Sequence, residues 1–74
     1  VTIGASINTI DSRAFSGGII PDLYFEGNAP SSYQGIKDLF LATIYYKSGM
    51  QGWSALIKDI NENYPNNQLK FATY

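Results

Sequence analysis

Apolar and polar residues alternate at the N-terminus of the chain. One side of the alternation carries Val1, Ile3, Ala5 and Ile7, and the other carries Thr2, Gly4, Ser6 and Asn8. A period of two residues predicts a half-buried β-strand over residues 1–9. A second apolar stretch covers residues 19–26. Because Pro21 has no amide hydrogen to donate to a neighbouring strand, we expect an edge strand or an extended loop there.

The middle of the chain changes to a helical period. Ser31 and Gln34 form the Ser-x-x-Gln pattern of a capping box, which predicts the start of a first helix that Gly49 ends. The residues of this helix that follow helical spacing are Ile36, Leu39, Phe40, Thr43, Ile44 and Lys47, and its core stripe centres on Ile36, Phe40, Thr43 and Ile44. A second stripe comprises Trp53, Leu56, Ile57, Ile60 and Tyr64, and Pro65 cannot continue it. This stripe predicts a second helix from Trp53 to about Tyr64, and renewed alternation predicts a terminal strand over residues 68–74.

These elements predict one small α+β domain over residues 1–74. The expected architecture is a small antiparallel or mixed sheet of about three strands with two consecutive helices packed on one face. The first and last strands are expected to be neighbours in that sheet. No internal repeat is visible in the sequence.

The first predicted helix is apolar around most of its circumference. At 100° per residue, Leu41 and Tyr45 fall opposite the core stripe, and Tyr46 flanks it. A chain of 74 residues buries only about 60% of its unfolded surface, so it has little polypeptide with which to cover two sides of a helix. We therefore predict a partner-binding surface formed by Leu41, Tyr45 and Tyr46, with Tyr24 contributing from an edge strand.

Trp53 is the single tryptophan and admits two interpretations. Beside Tyr45 and Tyr46 it would offer an aromatic platform for stacking a sugar ring or another ligand. Its spacing relative to Leu56 and Ile60 places it on the apolar stripe of the second helix instead. The spacing favours a core position.

The composition limits the chemistry. The chain has no histidine and no cysteine, which removes the usual general base, the thiolate nucleophile and the common zinc ligands. We therefore expect no catalytic residue, no metal and no cofactor. Five basic residues are spread along a chain of net charge −1, which argues against nucleic-acid binding. No apolar run is long enough to span a bilayer.

The leading functional prediction is a non-enzymatic protein-interaction or assembly module that acts through an apolar helix face. Its partner would be another protein or a second copy of the chain. One alternative is a small toxin or effector processed from a larger precursor, which the start at Val1 suggests. Another alternative is a carbohydrate-binding domain that uses Trp53 and tyrosines.

Overall fold

A computed structural model of the chain describes residues 2–11 and 22–74. The elements in chain order are β1 (Thr2–Ile3), β2 (Thr9–Ile10), β3 (Asp22–Phe25), β4 (Ser32–Tyr33), α1 (Gln34–Lys37), β5 (Thr43–Tyr46), α2 (Trp53–Asn63), a 3₁₀ turn (Pro65–Asn67) and β6 (Lys70–Thr73). Four of the strands form the main sheet, in the order β1-β3-β5-β6, and two short strands form a second sheet, β2-β4. Pro21 lies outside the described residues, as do residues 19–20 of the predicted second strand.

Every strand pair in the described part of the chain is parallel. In the main sheet, Thr2 pairs with Tyr24, Tyr24 with Tyr45 and Tyr45 with Ala72, which are steps of 22, 21 and 27 residues. Parallel neighbours require a crossover from one end of the sheet to the other, and each of these steps contains one. The prediction of an antiparallel or mixed sheet of about three strands with two helices on one face is therefore wrong. The first and last strands are also not neighbours, because they form opposite edges of the sheet.

The first predicted helix is replaced by a single helical turn and a strand. α1 ends after four residues, and residues 43–46 pair with β3 on one side and β6 on the other. The sequence Thr-Ile-Tyr-Tyr consists of β-branched and aromatic residues, which fit a pleated sheet well. The spacing of apolar residues in this segment fits either a helix or a strand. Pairing with a neighbouring strand on each side therefore favours the strand.

The predicted capping box does not form. Ser31 donates its hydroxyl to the carbonyl oxygen of Asn8 at 3.1 Å, and the Ser31 amide donates to the same oxygen at 2.9 Å. Tyr33 occupies the N-cap position of α1 without a side-chain hydrogen bond to the helix. The Ser31 side chain thus joins two successive crossovers, where β2 pairs with β4, instead of starting a helix.

The strands β1 and β3 also differ from the prediction. The alternating segment over residues 1–9 does not form one strand, because a turn closed by the Ile7 amide and the Gly4 carbonyl separates β1 from β2. β3 is an inner strand between β1 and β5, although Pro21 had indicated an edge. The second helix and the terminal strand are confirmed.

The core lies between the inner face of the main sheet and the crossovers. Leu23 and Ile44 project from β3 and β5 and are fully buried, as is Ile36 of α1. α2 covers them with Trp53, Leu56 and Ile60, which are each 2% exposed or less, in agreement with the predicted stripe. The Trp53 indole Nε1 donates to the carbonyl oxygen of Gly27 at 3.1 Å, so the buried ring has its polar atom satisfied.

Candidate binding surface

The outer face of the main sheet carries the candidate site. Successive side chains of a strand point to opposite faces, and the burial of β3 alternates accordingly: Leu23 and Phe25 are buried, whereas Asp22 and Tyr24 are half-buried. The strand registers align the outward residues into rows across the sheet. One row consists of Thr2, Tyr24, Tyr45 and Ala72, and the row before it consists of Asp22, Thr43 and Lys70.

Three tyrosines pack together on this face. The rings of Tyr24 and Tyr45 stack with centroids 4.6 Å apart and an interplanar angle of 7°. Tyr74, which directly follows β6, meets both rings nearly edge-on, at 5.4 Å from Tyr24 and 6.5 Å from Tyr45. We call these three residues the tyrosine cluster. Such cross-strand aromatic pairs each contribute roughly 0.2–1 kcal/mol to a sheet, so the cluster stabilises the face that it occupies.

Tyr74 is fixed at both ends. Its amide donates to the carbonyl oxygen of Tyr46 at 3.1 Å, and its hydroxyl donates to the carbonyl oxygen of Phe25 at 3.1 Å. The ammonium group of Lys47 lies 5.9 Å from the centre of its ring, within cation–π range. Tyr74 is nevertheless 49% exposed to solvent. The cluster is therefore ordered by its own contacts and still accessible to solvent.

Charge is divided across the outer face. Asp22 and Glu26 flank Tyr24 on the β3 side, whereas Lys47 and Lys70 belong to β5 and β6 or their ends. The pKa of Tyr24 is raised above its ordinary value, first by desolvation, then by electrostatic repulsion from the ionised forms of Tyr45, Asp22 and Tyr74. The carboxylate of Asp22 is thus close enough to disfavour ionisation of the Tyr24 phenol.

The structure brings together only two of the residues predicted to bind a partner. Tyr24 and Tyr45 stack on the outer face, but Tyr46 points to the opposite face, where its ring stacks on Trp53 at 5.0 Å. Leu41 lies outside the sheet in the connection before β5, 72% exposed and with a positive φ of 57°. The helical argument that joined Leu41 to Tyr45 is therefore wrong, because residues 43–46 form a strand and Leu41 lies before that strand, in a connection with left-handed backbone.

Trp53 is 2% exposed, and its ring is enclosed by Phe25 and Tyr46. This location agrees with the core position that its spacing favoured, and it leaves no ring face open to a stacked ligand. The sequence reasoning missed Tyr74. The signal that would have found it is the alternation of Lys70, Ala72 and Tyr74, which places all three on one face of the terminal strand.

A second polar cluster lies on the helical side of the molecule. The Tyr33 hydroxyl donates to a carboxylate oxygen of Asp59 at 2.5 Å, and the Asn63 side-chain amide donates to the other oxygen at 2.6 Å. The hydrogen bond to Asp59 raises the pKa of Tyr33 to about 12, and the same bond lowers the pKa of Asp59. The ammonium group of Lys37 lies 5.1 Å from the Tyr33 ring centre. These contacts tie β4 and α1 to α2, which indicates a structural role.

Among residues 2–11 and 22–74 there is no group of three or more carboxylate, histidine or cysteine side chains that could hold a metal ion. In the same part of the chain, no helix has the length and apolar character needed to cross a membrane. Comparisons with protein-family models, curated proteins and solved structures found no match. The expectation of a processed toxin or effector is not tested by these findings and stays a prediction.

Proposed function

We propose that this domain is a non-enzymatic binding module that recognises a protein partner through the outer face of its parallel sheet. The tyrosine cluster, Tyr24, Tyr45 and Tyr74, is the centre of the proposed surface. The proposal keeps the predicted class of function but moves the site from a helix face to a sheet face. The observation that carries it is the packing of three tyrosines against one another on the side of the sheet that faces away from the core.

The location of the tyrosines distinguishes them from core residues. Each aromatic side chain presents roughly 150–250 Å² of surface. A strand places that surface either on the core face of the sheet or on the opposite face. Tyr24 and Tyr45 are on the opposite face, so the described parts of the crossovers, which bury Leu23 and Ile44, do not cover them. Tyrosine is enriched at the centres of protein interfaces because it combines apolar area with a hydroxyl for hydrogen bonding.

The rigidity of the cluster also supports recognition. Binding costs about 0.5–1.5 kcal/mol for each flexible side chain that must be immobilised. Tyr24 and Tyr45 already stack on each other, and the hydroxyl of Tyr74 is already bonded to the Phe25 carbonyl. A partner would therefore meet an aromatic surface that needs little further ordering.

Photo-crosslinking tests the proposal. A photoreactive phenylalanine analogue replaces Thr43, which is on the outer face in the row beside Tyr45, and the protein is irradiated in an extract of its source cells. The matched control carries the analogue at Ser54, an exposed position of α2. We expect one protein species, or a second copy of the chain, to be crosslinked from position 43 and not from position 54.

The crosslinked protein is then purified and titrated with the domain. We expect the double variant Tyr24→Ser, Tyr45→Ser to bind at least about tenfold more weakly than wild type, because interface tyrosines often contribute more than 1 kcal/mol each. Leu41→Ser is the control, since this exposed side chain lies off the face, and its affinity should be unchanged. Equal affinity of wild type and the double variant would contradict the proposal, as would the absence of any position-specific crosslink.

Carbohydrate binding is a second candidate, and one observation favours it. The residues next to the stacked rings in their row, Thr2 and Ala72, have short side chains, which would leave space beside the Tyr24–Tyr45 stack for the apolar face of a sugar ring. Trp53 has no part in this version because it is buried. Titration with a panel of oligosaccharides, followed through the NMR signals of the tyrosine rings, tests it. Unchanged ring signals throughout the panel would remove this candidate.

A further inference from the structure

Two tyrosine rings on the helical side of the molecule share one ammonium group. The ammonium of Lys37 lies over the Tyr33 ring, 5.1 Å from its centre, and over the Tyr64 ring, 5.6 Å from its centre. Asp59 adds a negative charge beside them. Its pKa is lowered, first by the hydrogen bond from the Tyr33 hydroxyl and further by the charge of Lys37. We call Tyr33, Tyr64 and Asp59 the cation cage.

The cage is built where α1 meets α2. Tyr33 is the N-cap residue of α1, and Lys37, four positions later, is the last residue of that helical turn. This spacing brings the two side chains to the same side of the turn. Tyr64 directly follows α2, and Asp59 is held within α2 by the side-chain amide of Asn63. The three cage residues and Lys37 are each half-buried, so the cage is ordered by the fold and still reached by solvent.

The distances to Lys37 suit a larger cation than a primary ammonium. Non-bonded carbon atoms pack best at about 3.5–4.0 Å, and a single bond between nitrogen and carbon adds about 1.45 Å. The nitrogen of a methylated ammonium whose methyl group touches a ring therefore lies roughly 5 Å from that ring. The Lys37 nitrogen, at 5.1 Å and 5.6 Å, is too far to touch either ring itself. These distances thus match a methylated nitrogen better than the lysine that occupies the cage.

We propose that the cation cage binds a methylated ammonium group, as in choline or trimethyllysine, and that Lys37 is an internal competitor for the same position. Aromatic faces attract a quaternary ammonium through their electron-rich rings, and this cation needs no hydrogen-bond acceptor. Exchange of the Lys37 ammonium for the ligand leaves the charge of the cage unchanged, because one cation replaces another beside Asp59.

Lys37 is able to leave without disturbing the fold. The side-chain amide of Asn67 donates to the Lys37 carbonyl oxygen at 2.6 Å and fixes the backbone of this residue. The lysine side chain is a flexible stem, so it rotates into solvent while the backbone stays in place. The inference goes beyond the proposed function and does not depend on it, because the cage shares no residue with the tyrosine cluster.

Titration of Lys37→Ala with choline tests the inference, followed through the NMR signals of the Tyr33 and Tyr64 rings at constant ionic strength. An exposed cation–π contact changes an equilibrium by a factor of roughly two to five. Two such contacts no longer compete in Lys37→Ala, so we expect it to bind choline about fivefold to thirtyfold more tightly than wild type. Lys47→Ala is the matched control, because it removes an ammonium that lies over one ring, 5.9 Å from the centre of Tyr74. It should gain no affinity for choline, and an equal gain in both variants would overturn the inference.

Further variants distinguish a cage from a general effect of lost charge. In the Lys37→Ala background, Tyr33→Leu should abolish the gain, whereas Tyr33→Phe keeps the ring and should retain most of it. The uncharged alcohol in which carbon replaces the choline nitrogen has the same shape and should bind far more weakly. Equal binding of choline and this alcohol would overturn the inference, as would the absence of saturable ring shifts in Lys37→Ala.

The wild-type protein supplies a measurement that needs no variant. The ε-methylene NMR signals of Lys37 should be shifted by the two rings and move towards those of a solvent-exposed lysine as choline binds. Choline that shifts the tyrosine rings while the Lys37 signals stay in place would overturn the inference. A short trimethyllysine peptide is titrated in parallel. Tighter binding of the peptide would identify a methylated protein as the source of the cation, and tighter binding of choline would identify a small molecule; either result supports the cage.

Discussion

The position of β5 in the sequence predicts very different effects on stability for substitutions at two residues that are three positions apart. Ile44 is fully buried between the sheet and α2, whereas Leu41 is 72% exposed in the connection before the strand. We expect Ile44→Ala to destabilise the protein strongly and Leu41→Ala to have almost no effect. Both changes remove three carbon atoms from a branched aliphatic side chain, so each serves as the control for the other.

The magnitudes follow from burial. Truncation of a buried isoleucine to alanine costs about 2–5 kcal/mol, because apolar contacts are lost and a cavity is left. A chain of 74 residues is expected to have a free energy of unfolding of about 4–11 kcal/mol. Ile44→Ala should therefore remove a large fraction of the total stability, with a fall in Tm of about 4–8 °C for each kcal/mol. Leu41→Ala should stay within about 0.5 kcal/mol, as is usual for exposed positions.

Urea denaturation followed by circular dichroism gives both free energies of unfolding. The denaturant slope should be equal in the wild type and both variants, since the folded state is unchanged. A loss at Leu41 comparable with the loss at Ile44 would refute the assignment of residues 43–46 to a strand with Ile44 inside. Such a result is what a helix that is apolar on two sides would produce.

Three further predictions concern the contacts that hold the crossovers to the sheet. Gly27→Ala should destabilise the fold by about 1–3 kcal/mol in urea denaturation, because the new Cβ would lie 2.6 Å from the carbonyl oxygen of Ala5; unchanged stability would show that the two segments are not so close. Trp53→Phe should cost a similar amount, since it leaves the Gly27 carbonyl oxygen without its buried indole donor; full stability would contradict that hydrogen bond. The pKa of Tyr33 is raised to about 12 in the folded protein, so its contribution to stability is present below pH 10 and is lost as the pH rises through 12. Thermal melts should show this alkaline loss in the wild type and less of it in Tyr33→Phe, and equal pH profiles would argue against the bond to Asp59.

The sequence correctly predicts the two elements that local periodicity alone determines, α2 and β6. The stripe from Trp53 to Tyr64 has the length and termination signals of a helix, and α2 forms over Trp53–Asn63. The alternation of residues 68–74 likewise corresponds to β6. Both segments have a periodicity that only one type of secondary structure satisfies, so long-range contacts did not need to decide between alternatives.

β5 shows why the rest could not be predicted. Ile44 and its neighbours satisfy helical spacing when they are combined with Ile36 and Phe40, and they satisfy strand alternation when they are taken alone. The decision comes from parallel pairing with β3 and β6, residues that are 21 and 27 positions away. Such long-range pairing has no local signature in a short apolar run. The error then passed to the candidate site, because it placed Tyr45 beside Leu41 and not beside Tyr24.

The tyrosine cluster is the central claim, and ring-to-ring nuclear Overhauser effects in the free protein test it most directly. With selectively labelled tyrosine, we expect cross-peaks between the rings of Tyr24 and Tyr45 and between those of Tyr24 and Tyr74, with centroids 4.6 Å and 5.4 Å apart. Cross-peaks from the Tyr45 ring to the Leu41 methyl groups, without any to Tyr24, would show that the outer aromatic face does not exist.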